Sequence, residues 1–422
     1  MAHKKFRRKI VHAAVTTVRL TTGAFLFLIF LTCLLYLQGN IYTFPEKKPF
    51  SGENLLNPYQ DIDLTHTIKA NLHAHSIAWN RMTNGHNSPQ QLTQAYRDQG
   101  YTVACITNYH YLEPEAHSNS PVFIPAYEHG YNIFKTHTMA IDPEKVTLFD
   151  YPFWQSTSLK QDIIERLRKD GAIVCINHPG VRNGHTLADM RQLTDYSFIE
   201  VLSQYHNSSA HWDAALTAGQ LAYVLGNDDT HNIHREPTFR RWNEIYTPVT
   251  DKDSILENLK SGRSYAVEAR DGWRDIRPEY IRVSGDTLYY AFSDSCRSIR
   301  IVGPEGKTLS DKKERSGFYK VAETAGYVRL VASSDNCDLY MNPIVRYQRG
   351  NIPDSNDYQA RINLLYTILY RTSCVIILLV LASLIYSVLF TRRQVATLIK
   401  RRWARSIESL NSPANIPKQE TG

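Results

Sequence analysis

Histidines and carboxylates at short, regular spacings are the groups in this 422-residue chain best suited to chemistry. All sixteen histidines precede residue 235, and fourteen lie between positions 66 and 234. Seven of them fall into groups: His73-Ala74-His75, His110, Glu128-His129, His137, Asn177-His178-Pro179-Gly180 and Asp228-Asp229-Thr230-His231. In an extended chain, residues two apart point to the same side. His73 and His75 therefore face one way, as do Asp229 and His231. Imidazole suits zinc, iron and manganese, and carboxylates bridge such ions or complete their shells. Two ions ~3.5–4 Å apart can hold a phosphate between them and make bound water acidic. The chemistry implied is metal-dependent hydrolysis. A lone histidine near a strand end is more often just hydrogen bonded, so the weight lies on the ordered set.

Repeated strand and helix signals must position these groups. Ser88-Pro89-Gln90-Gln91 is a capping box with proline at the first helical position. The helix it opens ends at Gly100, and a β-rich run, 101–107, follows. Further runs cover 121–127, 172–176, 198–202 and 221–225. Helices are predicted over 159–169, 209–218 and 251–260, stopped by Gly171, Gly219 and Gly262. Continuous apolar strands alternating with helices predict a parallel sheet buried on both faces, in a closed or distorted barrel over residues 60–270. Nearly every histidine group comes just after a strand, the end where barrel sites form. Residues 275–350 contain no histidine and alternate as short strands, which predicts a small antiparallel β-sandwich.

The order of these motifs resembles the polymerase and histidinol phosphatase (PHP) superfamily. "NLHAHS" at Asn71–Ser76, "ITNYH", "PAYEHG", "INHPG" and "GNDDTH" stand in that family's order, and "SGRSYAV" follows at 261–267. The resemblance covers about 66–265. It implies a distorted seven-stranded (β/α) barrel and phosphoester hydrolysis with two or three divalent transition metals, Zn, Mn or Fe. The ligands it implies are His73, His75, His110, Glu128, His137, His178, Asp229 and His231, with Asp229 and His231 also able to shuttle a proton. Arg235 is expected to contact substrate phosphate, and Arg240 and Arg241 are further candidates. There are two departures. The family's Ser-Asp-Gly reads Thr83-Asn84-Gly85, with His86 as a substitute ligand, and its Thr-Asp-His reads Thr107-Asn108-Tyr109-His110, displacing the histidine by one. His129, Glu200 and Asp228 are read as supporting groups behind the ligands.

Charge and hydropathy divide the rest of the chain. The net charge of +7 comes from two basic tails, 1–19 and 391–422, while residues 20–360 are net acidic. A nucleic-acid partner is therefore not expected. Residues 20–37 and 372–390 are uncharged and apolar, long enough for transmembrane helices at about 17–25 residues. The first follows a basic segment, as a signal peptide would, but no small-residue cleavage site follows it. Basic residues flank both, so both termini are expected in the cytoplasm and the barrel across the membrane, periplasmic in a bacterium. Cys296 and Cys337, both in the sandwich, would then be free to pair. The expected substrate is a phosphorylated small molecule or an envelope lipid or glycan. Two other readings stand beside this one. Hydrolysis of a C–N bond is disfavoured because no strand carries an obvious candidate for a carbamylated lysine. A degenerate, non-catalytic barrel acting as a membrane-anchored binding module is kept alive by the two motif departures.

Overall fold

The computed structural model describes residues 2–114 and 122–390. It divides into two compact units, Met1–Gly39 with Ile368–Gly422, and Asn40–Thr367.

In the first unit the N-terminal helix spans Ala2–Tyr36 and holds an apolar stretch, Lys9–Tyr36, with a mean hydropathy of 2.1. The helix thus begins inside the basic segment, well before the apolar run. The C-terminal helix, Leu364–Leu389, has a mean hydropathy of 2.5. It starts eight residues before the uncharged run at 372, because nothing between 364 and 371 breaks a helix. Each helix is long and apolar enough to cross a membrane. The basic tail 391–422 lies outside the described residues.

In the second unit the chain is a mixed α/β fold. Its helices begin where the capping residues require. Ser88 accepts from Gln91 N–H while the Gln91 side chain accepts from Ser88 N–H, and Pro89–Asp98 follows. Ser156 caps Thr157–Lys169 and Asp251 caps Lys252–Lys260.

The strands do not close into one ladder. Five form a sheet in the order Ala126–His129, Thr138–Ile141, Ile173–Ile176, Phe198–Leu202, Tyr223–Gly226. The last three run parallel, but Thr138–Ile141 is antiparallel to both of its neighbours. Only residues 130–137 join the first two strands, too few for a crossover helix. Thr67–Asn71 and Val103–Ala104 pair in parallel within a second, ten-stranded sheet, where Arg241–Tyr246 lies antiparallel to Thr67–Asn71. Among the described residues the expected seven-stranded barrel is therefore two sheets, with no closed barrel.

Asparagine amides bridge one seam between the sheets. Asn243 Nδ2 donates to Gly226 O at 2.8 Å, and its Oδ1 accepts from Gly226 N–H at 2.9 Å. Asn227 Oδ1 accepts from Leu72 N–H at 2.8 Å. These bonds satisfy backbone groups that the ladder leaves open. The approach is close enough that a Cβ on Gly226 would lie 3.1 Å from the Ala266 methyl.

The sandwich region is antiparallel as expected, but it is continuous with the barrel strands. Ser264–Ala269 pairs with Cys337–Met341, and the sheet continues through Tyr327–Ser333 to Ser298–Val302. Three strands, Pro278–Ser284, Thr287–Phe292 and Ser316–Lys320, form a separate sheet. One apolar cluster gathers Tyr96, Trp242 and Tyr265 with Ile281, Phe292 and Leu330. Each large side chain fully buried there contributes about 1.5–3 kcal/mol. Cys296 and Cys337 are buried free thiols.

Candidate metal centre

Seven of the expected ligands converge at one end of the strands. His73 and His75 follow Thr67–Asn71, His178 follows Ile173–Ile176, and Asp229 and His231 follow Tyr223–Gly226. Glu128 lies in Ala126–His129. His137 precedes its strand, and reaches the same end because that strand is antiparallel. All seven are buried.

The ligand atoms form three overlapping groups: His73, His75, Glu128; Glu128, His137, His178; and His75, Asp229, His231. Glu128 and His75 each belong to two of them. His73 Nε2 lies 3.2 Å from His75 Nε2, so the His-x-His pair does face one way. Glu128 Oε1 is 2.9 Å from His137 Nδ1 and 3.2 Å from His178 Nε2, while its Oε2 is 3.2 Å from His75 Nε2. Asp229 Oδ1 is 3.3 Å from His73 Nε2 and 3.2 Å from His75 Nε2.

These atoms converge more than they bond. Glu128 Oε2, Asp229 Oδ1, His137 Nδ1 and His231 Nε2 are buried without a hydrogen-bond partner. Leaving buried polar atoms unpaired costs about 1–3 kcal/mol each. Lone pairs turned toward one another in this way fit a cation. The mixture of imidazole and carboxylate suits a transition metal over calcium or magnesium. Outer groups fix the rings. Glu200 Oε1 accepts from His73 Nδ1–H at 2.9 Å, which leaves Nε2 with its lone pair toward the centre. His231 Nδ1–H donates to Asp229 O at 3.1 Å, which frees Nε2 in the same way. His178 and Asp229 hold positive φ, +26° and +48°. Strained non-glycine residues of this kind collect at functional sites.

The electrostatics agree. Burial pulls the His73, His75 and His178 imidazoles down, but the surrounding carboxylates outweigh it and hold all three above the usual range. Burial pushes Glu128 and Asp229 up, but the imidazoles outweigh it and hold both below the carboxylate range. Burial wins at His137, which is lowered, and at His231, which falls to about 4.

Other expected residues lie elsewhere. Both ring nitrogens of His110 are occupied, Nδ1–H donating to Thr147 O at 2.9 Å and Nε2 accepting from Gly130 N–H at 3.0 Å. It groups with His129 and Asp150, away from the cluster. The cause is the one-residue displacement. Tyr109 takes the side facing the site and stacks on His75 at 4.6 Å, and His110 takes the opposite side. Gly130, at φ +130°, is close against the site, where a Cβ would lie 2.8 Å from the His137 ring. The His86 ring is exposed. Arg235 is exposed and does not line the mouth of the site; Arg241 pairs with Glu268 at 2.7 Å. Asp228 is turned away, accepting from Tyr96 Oη–H and three backbone N–H groups, and burial raises it to about 6.

The mouth is a cavity of 260 Å³ whose cations are Lys135 and Arg182, with Asn84, Tyr109 and Tyr205 in its wall. The sequence reading missed both cations, because each sits on a loop with no motif. It also missed Asn177, whose Nδ2 donates to Glu128 Oε1 at 3.0 Å. Its place beside His178 was the available signal. A larger groove of 590 Å³ borders the N-terminal end of Tyr223–Gly226, opposite the metal site, and gathers none of the three ligand groups.

Neither a protein-family model nor a curated protein sequence matches the chain. Among solved structures it is similar to a two-domain protein from Bacteroides vulgatus ATCC 8482, described as containing a predicted PHP-like metal-dependent phosphoesterase. The likeness has a TM-score of 0.38 and 15% identity, over 76% of this chain and 99% of that one.

Proposed function

We propose that the chain is a metal-dependent phosphoester hydrolase of the PHP type, anchored in a membrane by its two apolar helices. The observation that carries this reading is the sharing of Glu128 and His75 among three ligand groups, an arrangement suited to two or three neighbouring ions. His73, His75, Glu128, His137, His178, Asp229 and His231 would hold them. Divalent ions there would supply Lewis-acid charge to phosphoryl oxygens and make water more acidic. Lys135 and Arg182 at the mouth would bind the remaining phosphate charge. His231 Nε2 is placed to ligate or to accept a proton, because Nδ1–H is held by Asp229 O. Tyr205 Oη, 3.4 Å from His231 Nδ1, borders the same space.

Basic residues before the first apolar helix and after the second support cytoplasmic termini, with the catalytic unit outside. The substrate class is a phosphorylated small molecule or an envelope lipid or glycan phosphate. Elemental analysis of the purified full chain, beside a His73→Ala/His75→Ala double variant, tests the reading. Two or more transition-metal ions per chain and hydrolysis of a generic phosphate ester, both lost in the variant, are expected. A folded chain that takes up no zinc, manganese or iron would overturn it in favour of a binding module.

A further inference from the structure

We propose that the rim of the metal site formed by residues 130–155 is a membrane-interface surface, so that the site receives a phosphoester presented on a lipid. The substrate half of this proposal rests on the phosphoesterase reading. The docking half rests on the surface itself.

Exposed apolar side chains scattered singly are ordinary. Here six occupy two adjoining loops: Tyr131, Ile133 and Phe134 on one, Leu148, Phe153 and Trp154 on the other. Trp154 is 65% exposed and Leu148 63%. The loops are tied together, with Ile133 N–H donating to Pro152 O at 3.2 Å and Tyr131 N–H to Asp150 Oδ2 at 2.9 Å. They form one surface, and a contiguous apolar patch marks an interaction site.

Continuity with the chain ends decides what covers it. Helix Thr157–Lys169 begins three residues after Trp154. Within its first turn, Ser158 Oγ accepts from Tyr42 N–H at 3.1 Å. Tyr42 pairs with Ile362 in a two-stranded ladder. Ile362, Leu364, Leu365 and Tyr366 are all exposed. The chain leaves this ladder directly into the two apolar helices. The apolar rim therefore adjoins the place where the unit is tethered at both ends. Its other border is cationic. Lys135 lies on the same loop as Ile133 and Phe134, and Arg182 Nη1 donates to Ile133 O at 3.2 Å. Tryptophan and tyrosine beside lysine and arginine is the composition of membrane-interface belts, and the cations match anionic headgroups. The two cations also line the mouth of the metal site, so a headgroup phosphate at the interface would lie beside the ligand cluster.

The test uses the full chain reconstituted in phosphatidylcholine vesicles. With lipids brominated near the headgroup, a share of tryptophan emission is expected to be quenched in the wild type and missing in Trp154→Phe. Equal fractional quenching in both overturns the docking. In the same vesicles, Phe153→Ser/Trp154→Ser is expected to slow hydrolysis of embedded phosphatidic acid roughly tenfold, the loss expected when a half-exposed aromatic side chain no longer leaves water. Hydrolysis of water-soluble para-nitrophenyl phosphate, and the metal content, should be unchanged. An equal fall on both substrates overturns the interfacial role. Quenching at Trp154 in a wild type that hydrolyses neither ester upholds the docking and overturns the phosphoesterase reading. A purified protein partner that displaces the vesicle signal by covering Trp154 overturns the lipid as occupant.

Discussion

Asp213 and Glu128 are both buried carboxylates, and the fold treats them in opposite ways. Asp213, on the helix Ser209–Ala218, accepts from Arg329 Nε at 2.8 Å, from Arg329 Nη2 at 2.7 Å and from Tyr327 Oη–H at 3.0 Å. The Arg329 guanidinium also lies over the Trp212 ring, 4.8 Å from its centroid. The pair clamps a barrel-side helix to the sandwich strand Tyr327–Ser333 and leaves both carboxylate oxygens satisfied. Glu128 accepts from Asn177 Nδ2 and lies among four imidazole nitrogens at 2.9–3.4 Å, of which His178 Nε2 is hydrogen-bonded to its Oε1 at 3.2 Å. Burial alone therefore does not distinguish a structural acid from a functional one. What surrounds its oxygens does: an arginine and a tyrosine complete Asp213, whereas Glu128 shares both oxygens with a cluster of imidazoles, a mixture suited to a transition-metal cation.

The sharpest way to break this comparison is Glu128→Gln. The amide removes the shared charge and turns an N–H₂ group toward imidazole nitrogens. Bound metal should fall by more than half, and hydrolysis by on the order of 10³-fold, beyond the 10–100-fold typical of an outer-shell change. The thermal midpoint of the metal-free chain should change little. A variant with wild-type metal content would show that Glu128 is no more a ligand than Asp213 is.

Arg329→Leu is the mirror experiment. It strands Asp213 without its partner, and breaking a buried pair from one side costs about 3–5 kcal/mol. Denaturant unfolding should show that loss, while the metal bound per folded chain stays constant. A loss below ~1 kcal/mol, the value of an exposed pair, would mean that the carboxylate reaches water and that the contrast with Glu128 is weaker than drawn. Glu200→Gln should have a smaller effect. The amide oxygen can still accept from His73 Nδ1–H, so the ring stays oriented and only the charge behind it is lost. Metal affinity should fall about 10-fold, the lower end for such outer groups, as titration with a competing chelator would measure.

Much of this contrast could be read before the fold was known, and the unread part has definite causes. His73 and His75 were legible because period-two geometry is local, and Glu128, His178, Asp229 and His231 because each sits in a short recognisable phrase. The helix Pro89–Asp98 was legible for the same reason: its cap, Ser88, acts within three residues of itself. His110 was misplaced because one extra residue reverses which side chain faces the site, and only the pairing of Tyr109 with Glu128 decides which it is. Arg235 was preferred over Lys135 and Arg182 because it lies near a motif in sequence, whereas the mouth is assembled from loops far apart in the chain. The parallel barrel failed at Thr138–Ile141, where a short connection forces an antiparallel strand, and at a seam where asparagine side chains replace the ladder. The shared sheet between barrel and sandwich depends on Ser264–Ala269 meeting Cys337–Met341 across about seventy residues, which no local pattern records.

Asp189 gives the mildest test, because it is a satisfied acid whose charge still matters. Its carboxylate accepts from Lys160 Nζ at 2.5 Å, from Thr157 Oγ1–H at 2.6 Å and from Thr186 N–H at 2.7 Å, where it completes a capping box. Burial pushes this carboxyl up, but Lys160 and the hydrogen bonds outweigh it and bring it down to about 2. An unfolded aspartate titrates near ~3.9. Between those values the unfolded chain takes up a proton that the native state refuses, so this contribution is present above pH ~4 and is lost as pH falls toward 2. Asp189→Asn should therefore lower stability at neutral pH and flatten the acid limb of the stability profile in that window, with metal binding at pH 7 unchanged. If the acid limb keeps its slope, the proton is taken up elsewhere, and Asp189 would no longer serve as the titrating counterpart of Asp213 on the structural side of the comparison.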